Sequence, residues 1–257
     1  MPGSVRYLCA ATAALLFFYS AIAGAWNECR YTRDLDREID ARGVESLKID
    51  AGAGLLRVSG RKNQKTIEVR ARACATDENM LDEVDWAIEK RGNRAAMSVD
   101  LPYHDDDHWA RLDLVVTVPA GLDLDIDDSS GSIRIDNVGA VRLDDGSGSI
   151  EIDGVAGPLR INDSSGSITI DNVQGSVDLD DSSGSIDIAD VSGDVAISDS
   201  SGSINARHVR GTVDVRRDSS GGISVADVGG DFIVRRDGSG GISYRRVAGN
   251  IDIPMRD

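Results

Sequence analysis

The chain is poor in the residues that most enzymes and nucleic-acid binders rely on. Aromatic residues are 4% of its 257 positions, and it has three histidines, three cysteines and five prolines. Lysine and arginine total 28 against 44 aspartates and glutamates, a formal net charge of -16. Too few cations are left to displace the counterions of a nucleic acid or to hold the chain on anionic lipid. Trp26, Trp86 and Trp109 all precede the repeats described below, so those repeats offer few aromatic platforms for a sugar. His208 is the one histidine of the repeats and no Gly-x-Ser-x-Gly elbow exists, so a Ser-His-Asp hydrolase has no support.

The long apolar run is confined to Ala10–Ile22, behind Arg6 and ahead of the small-residue site Ala23-Gly24-Ala25. This order reads as a secretory signal peptide over residues 1–25. The run is short for a membrane span, so no transmembrane span is expected in the mature chain. Export places the protein in the periplasm or at the cell surface. Removing the leader also removes Cys9, leaving Cys29 and Cys74. Two cysteines in an oxidising compartment most simply form one disulfide. The alternatives are free thiols or a metal pair, and without clustered histidines the latter makes a poor zinc site.

What the chain has in abundance is glycine, serine, aspartate and β-branched residues at a fixed step. A turn ending in glycine recurs at Gly131, Gly148, Gly166, Gly184, Gly202, Gly221 and Gly240, about eighteen residues apart. Such periodicity decides architecture before any other signal. Each unit has three apolar stations: an Ile-x-Ile pair such as Ile168 and Ile170, a lone valine such as Val173, and a second pair such as Val177 and Leu179. Alternation within the pairs predicts strands with one face inward. The fold expected is all-β: a right-handed parallel β-solenoid (β-helix), its hand following the usual crossover preference. Residues 120–257 are the regular coils. Residues 26–119 read as degenerate opening coils and a cap, because a solenoid end must block edge pairing. In that stretch Leu47–Ile49, Leu55–Val58, Ile67–Ala71 and Arg111–Val118 read as strands. Asp77–Glu83 reads as a helical turn, and Val84–Lys90 with Ala95–Leu101 as a hairpin around Gly92 and Asn93.

Two groups invite a metal reading. Asp128, Asp145, Asp163, Asp181, Asp199, Asp218 and Asp237 each stand three residues before a turn glycine, so they stack on one edge. Aspartate opening and glycine closing a turn is ordinary type I turn chemistry. An aspartate column could equally bind calcium through oxygen ligands. Stacked carboxylates would also lie near the spacing of a retaining glycosidase pair, but coil stacking alone produces that spacing. His104 and His108 flank three aspartates, a set suited to zinc, copper or nickel, or to a plain solvated loop. No other cofactor is implied. Arginine is sparse between Gly121 and Asn205 and frequent from Arg207 on. The doublets there read as neutralising neighbouring aspartates, with head-to-tail association as the other reading.

The leader, Cys29, the Arg72-Ala73-Cys74-Ala75 segment, the repeated Ser-Gly-Ser-Ile unit and the terminal Ile251-Asp252-Ile253-Pro254 together resemble bacterial envelope proteins. These carry the β-strand-repeat domain of unknown function, often labelled an adhesin. The resemblance covers nearly the whole mature chain and implies a non-catalytic envelope protein, structural or adhesin-like. It carries over no catalytic residue. The expected partner is an unidentified envelope component, and the chain itself is expected to be a monomer. A calcium-binding solenoid and a carbohydrate-active β-helix are the alternatives.

Overall fold

The computed structural model describes residues 29–102 and 108–254; the expected leader and His104 lie outside them. The first part of the chain forms β1 (Tyr31–Asp34), β2 (Arg37–Asp40), β3 (Ser46–Ala53), β4 (Leu56–Arg61) and β5 (Thr66–Ala75). It continues through α1 (Glu78–Glu83), β6 (Asp85–Arg91), β7 (Arg94–Asp100) and β8 (Ala110–Pro119). Asp77 caps α1, accepting a hydrogen bond from the Met80 amide. The Cys29–Cys74 disulfide is formed, with a Cα–Cα distance of 5.4 Å. It ties the start of the described chain to the buried end of β5.

From β9 (Asp123–Ser130) onward the chain alternates between two sheets. One sheet receives β10 (Ile133–Val138), β12 (Ile150–Val155), β14 (Ile168–Val173), β16 (Ile186–Val191), β18 (Ile204–Val209), β20 (Ile223–Val228) and β22 (Ile242–Val247). The other receives β11 (Val141–Asp145), β13 (Leu159–Asp163), β15 (Val177–Asp181), β17 (Val195–Ser198), β19 (Val213–Arg217), β21 (Phe232–Val234) and β23 (Ile251–Asp252). All these pairings are parallel. This is a parallel β-solenoid of about seven turns with a period of about eighteen residues.

Register follows from the repeat. Ile150 lies beside Ile168, Ile152 beside Ile170 and Val155 beside Val173. Like side chains therefore form ladders, and β-branched residues suit a pleated, half-buried surface. Ile168 and Ile170 are buried while Thr169 between them is exposed. Burying each aliphatic side chain contributes roughly 1.5–3 kcal/mol, and no coil can bury its face without a neighbour.

The lone valine is not on a strand of its own. It shares a strand with the Ile-x-Ile pair, one residue beyond a left-handed position. Asn137, Asn172, Asp190, His208, Asp227 and Arg246 occupy this position with φ of 52–58°, and Gly154 with φ 78°. That local reversal returns the valine to the core, which plain alternation would not do at this spacing. Asparagine and aspartate tolerate the left-handed region better than other side chains.

The turn glycines meet a harder constraint. Gly166 has φ 142°, and a Cβ there would lie 1.6 Å from the carbonyl oxygen of Gly148 in the coil below. The same clash recurs up the stack, so the corner closes only with glycine in each coil.

The opening region is interleaved with the coils. In one sheet β4 lies between β8 and β10; in the other β3 lies between β7 and β9. These contacts are parallel. β5 adds antiparallel to β8, β1 and β2 antiparallel to β5, and β6 antiparallel to β7. The core runs without a break from Ala41 to Val234.

Candidate functional site: a buried aspartate ladder

The aspartates at the turns stack in register: Asp128 beside Asp145, Asp145 beside Asp163, and Asp163 beside Asp181. Asp218 and Asp237 continue the column as an isolated bridge. The edge location expected from the turn motif is wrong in one respect: these side chains point inward. Asp128, Asp145, Asp163 and Asp181 are 5–8% exposed, and Asp199 and Asp218 are fully buried. The reason is alternation. Val141 and Leu143 face the core, and Asp145, two residues on, takes the next inward position of the same strand. Leu159, Ile161 and Asp163 repeat the arrangement, as do Val177, Leu179 and Asp181. The signal was present in the sequence, because the period of two runs straight through the apolar pair into the aspartate.

Four of the carboxylates are half satisfied. Oδ1 of Asp145, Asp163, Asp181 and Asp199 accepts the amide of the serine two residues on, at 3.1–3.3 Å. This is the Asx-type turn expected of the motif. Among the described residues, Oδ2 of the same four is buried with no hydrogen-bond partner, and neither oxygen of Asp128 or Asp218 has one. Removing a carboxylate from water disfavours its charged form. Burial accordingly pushes Asp128 up to about 7, with Asp145 adding to the effect across the coil step. It pushes Asp145, Asp181 and Asp218 up to about 6. Asp163 and Asp199 are raised for the same first reason, and their turn amides oppose the rise. As the pH falls through about 6 the column takes up protons, which relieves repulsion between groups about 4.8 Å apart.

Outward charges are handled differently. Arg160 and Arg216 both reach Asp178, at 2.7 and 2.8 Å, and Arg235 reaches Asp214 at 2.7 Å. The arginine-rich end thus pairs with aspartates one or two coils below, as the neutralising reading expects. At the left-handed corner, His208 lies 3.4 Å from Asp190 and 3.7 Å from Asp227. Asp227 is also the partner of Arg246. This polar column lines a groove of 620 Å³. No residue pattern groups these side chains, because their shared feature is a backbone conformation.

Among the described residues no three His, Cys, Asp or Glu side chains are grouped to hold a metal ion. His108 is exposed; His104 is outside the described residues. Trp86 is buried in the opening region, its indole donating to the Leu35 carbonyl at 3.0 Å. A 310 Å³ groove lined by Asp127, Asp144 and Asn162 touches the outer flank of the ladder's first steps. No helix among the described residues is long and apolar enough to cross a membrane.

The family model described as Toastrack DUF4097 matches residues 36–226. A search of curated proteins finds no match. Among solved structures, a candidate adhesin from Bacteroides fragilis is similar at 12% identity and a TM-score of 0.47, over 86% of this chain and 97% of that one. A candidate lipid-binding protein from Parabacteroides distasonis is similar at 19% identity and 0.47, over 85% and 96%. A candidate adhesin from Parabacteroides merdae shows 16% identity and 0.43, over 83% and 96%.

Proposed function

We propose that this chain, which belongs to the Toastrack DUF4097 family, is an exported, non-catalytic envelope module that binds a partner along a flat sheet face. The observation that carries this reading is how the repeats use their polar residues. The turn aspartates are buried in the core, the turn serines supply amides to them, and the glycines close the corners. The remaining outward side chains are presented in straight columns on two long sheets. Such a surface suits an extended partner. The disulfide fits an oxidising compartment and supports export. The net negative charge directs the choice of partner toward a neutral or cationic envelope component.

The test is fractionation and affinity capture from the native host. The protein should be found in the envelope fraction, shortened by its leader, and should retain an envelope component on a column. Placing positive charge on the outward positions Thr169 (exposed) and Asp187 (half-buried), as Thr169→Lys and Asp187→Lys, should release a partner bound to that sheet while the fold is retained. Recovery of the unprocessed chain from the cytoplasm would defeat the proposal.

Calcium binding is the second reading, and the unpartnered Oδ2 atoms favour it. Calcium needs six to eight oxygens, whereas each coil offers the column a single carboxylate. Added calcium should therefore leave the melting temperature unchanged. A rise that is lost in ladder variants would favour the calcium reading.

A further inference from the structure

The large hydrophobic side chains exposed among the described residues are Tyr244 and Ile251, at 45% and 41%. Both belong to the last coil. Their counterparts one coil earlier, Val225 and Phe232, are fully covered. Ile242, Val247 and Ile253 beside them are half-buried and pack against the core from its open end. Among the described residues β22 is paired on one side, to β20, and β23 on one side, to β21, so each ends its sheet with an open row of backbone donors and acceptors.

We propose that this end is an interface between two copies of the chain, which stack tail to tail across a two-fold axis. A second copy presents the same apolar stations and the same open edge. A two-fold axis perpendicular to the sheets would bring β22 against β22 of the other copy, antiparallel, and continue both cores across the junction. An isologous contact of this kind closes at two copies. This proposal is the alternative to the monomer expected from the sequence.

Two further observations select a copy of this chain. The first is charge. Residues 122–206 carry eighteen acidic side chains against three arginines, whereas residues 219–254 carry four aspartates and four arginines. The solenoid's sides would repel a second copy, but its last two coils are neutral. The second is the opposite end, which excludes head-to-tail stacking. There the sheets finish in antiparallel additions, β1 and β2 on β5 and β6 on β7, and β6 exposes Glu89, Lys90 and Arg91. That end leaves no large hydrophobic side chain exposed among the described residues, so it offers no apolar match to the last coil. Because Pro254 cannot donate to a ladder, the six residues of β22 carry most of the pairing. One coil's end face, roughly 20 Å across, is small for a specific interface, so the dimer should be of micromolar strength.

Sedimentation equilibrium on the purified, disulfide-bonded protein tests this. Wild type should associate to a dimer at ~10–100 μM. The double variant Tyr244→Glu, Ile251→Glu should weaken association at least tenfold. Both sites are partly exposed, with Tyr244 resting on Phe232, so the circular dichroism should match wild type and the melting temperature should fall by only a few degrees. Small-angle scattering should show a dimer with nearly twice the maximum dimension of the monomer. A wild type that stays monomeric to ~100 μM would overturn the proposal. So would a dimer indifferent to the two substitutions, or one with the short profile of a side-by-side pair.

Discussion

The ladder makes a prediction opposite in sign to that for most acidic proteins: its contribution to stability should grow as the solution is acidified. Asp145 and Asp181 titrate at about 6 in the folded chain, against an ordinary value of 3.8. A carboxyl group raised on folding stabilises fully below its unfolded value, and that stabilisation is lost as pH rises through the folded value. The window is therefore about pH 4 to 7. A shift of that size corresponds to roughly 3 kcal/mol per group at 1.36 kcal/mol per unit. Coupling along the column reduces what any single site delivers, so about 1–2 kcal/mol each is expected. Asp144, Asp178 and Asp227 are held low by arginine or asparagine partners and act in the opposite direction at more acid pH. The perturbation is Asp145→Asn with Asp181→Asn. Asparagine keeps the oxygen that accepts the Ser147 or Ser183 amide and removes the charge on either side of Asp163. Denaturant unfolding at pH 8 should show the double variant more stable by about 2–4 kcal/mol, and at pH 4 the two proteins should coincide. A variant less stable than wild type at pH 8 would refute the reasoning, as would a pH profile it leaves unchanged.

Three other outcomes follow from the same geometry. Ile170→Ala should cost about 2–5 kcal/mol in urea unfolding, as buried large-to-small changes do, and the neighbouring Thr169→Ala less than 1 kcal/mol; equal costs would mean the facing is misassigned. Gly166→Ala should cost about 3 kcal/mol or prevent folding, since its Cβ meets the Gly148 carbonyl at 1.6 Å; a wild-type melting temperature would contradict the stacked corner. Unreduced peptide mapping should recover Cys29 joined to Cys74, and Cys29→Ser with Cys74→Ser should lower stability by about 2–4 kcal/mol.

Much of this molecule was legible before any coordinates. The eighteen-residue step, the apolar stations, the turn glycines and the helix at Glu78–Glu83 all read directly, because each is a local pattern with one physical solution. The doublet Arg216-Arg217 coincides with a register break between Ile197 and Ser198 of the facing strand. The disulfide was legible because two cysteines and one oxidising compartment leave one pairing.

Other features depended on contacts between distant parts of the chain. The insertion of β4 between β8 and β10 joins segments far apart in sequence, and no periodicity specifies it. The left-handed corner is shared by asparagine, glycine, aspartate, histidine and arginine, so it shows in φ and not in composition. The aspartates are the sharpest case. As letters they are turn residues, and turn residues are usually solvated. They are buried because each strand runs on for two residues past its apolar pair and because the next coil covers the carboxyl. The sequence by itself determined the repeat and the facing of its strands. Stacking decided which polar groups lose their water, since desolvation comes from the neighbouring coils and not from the residue itself.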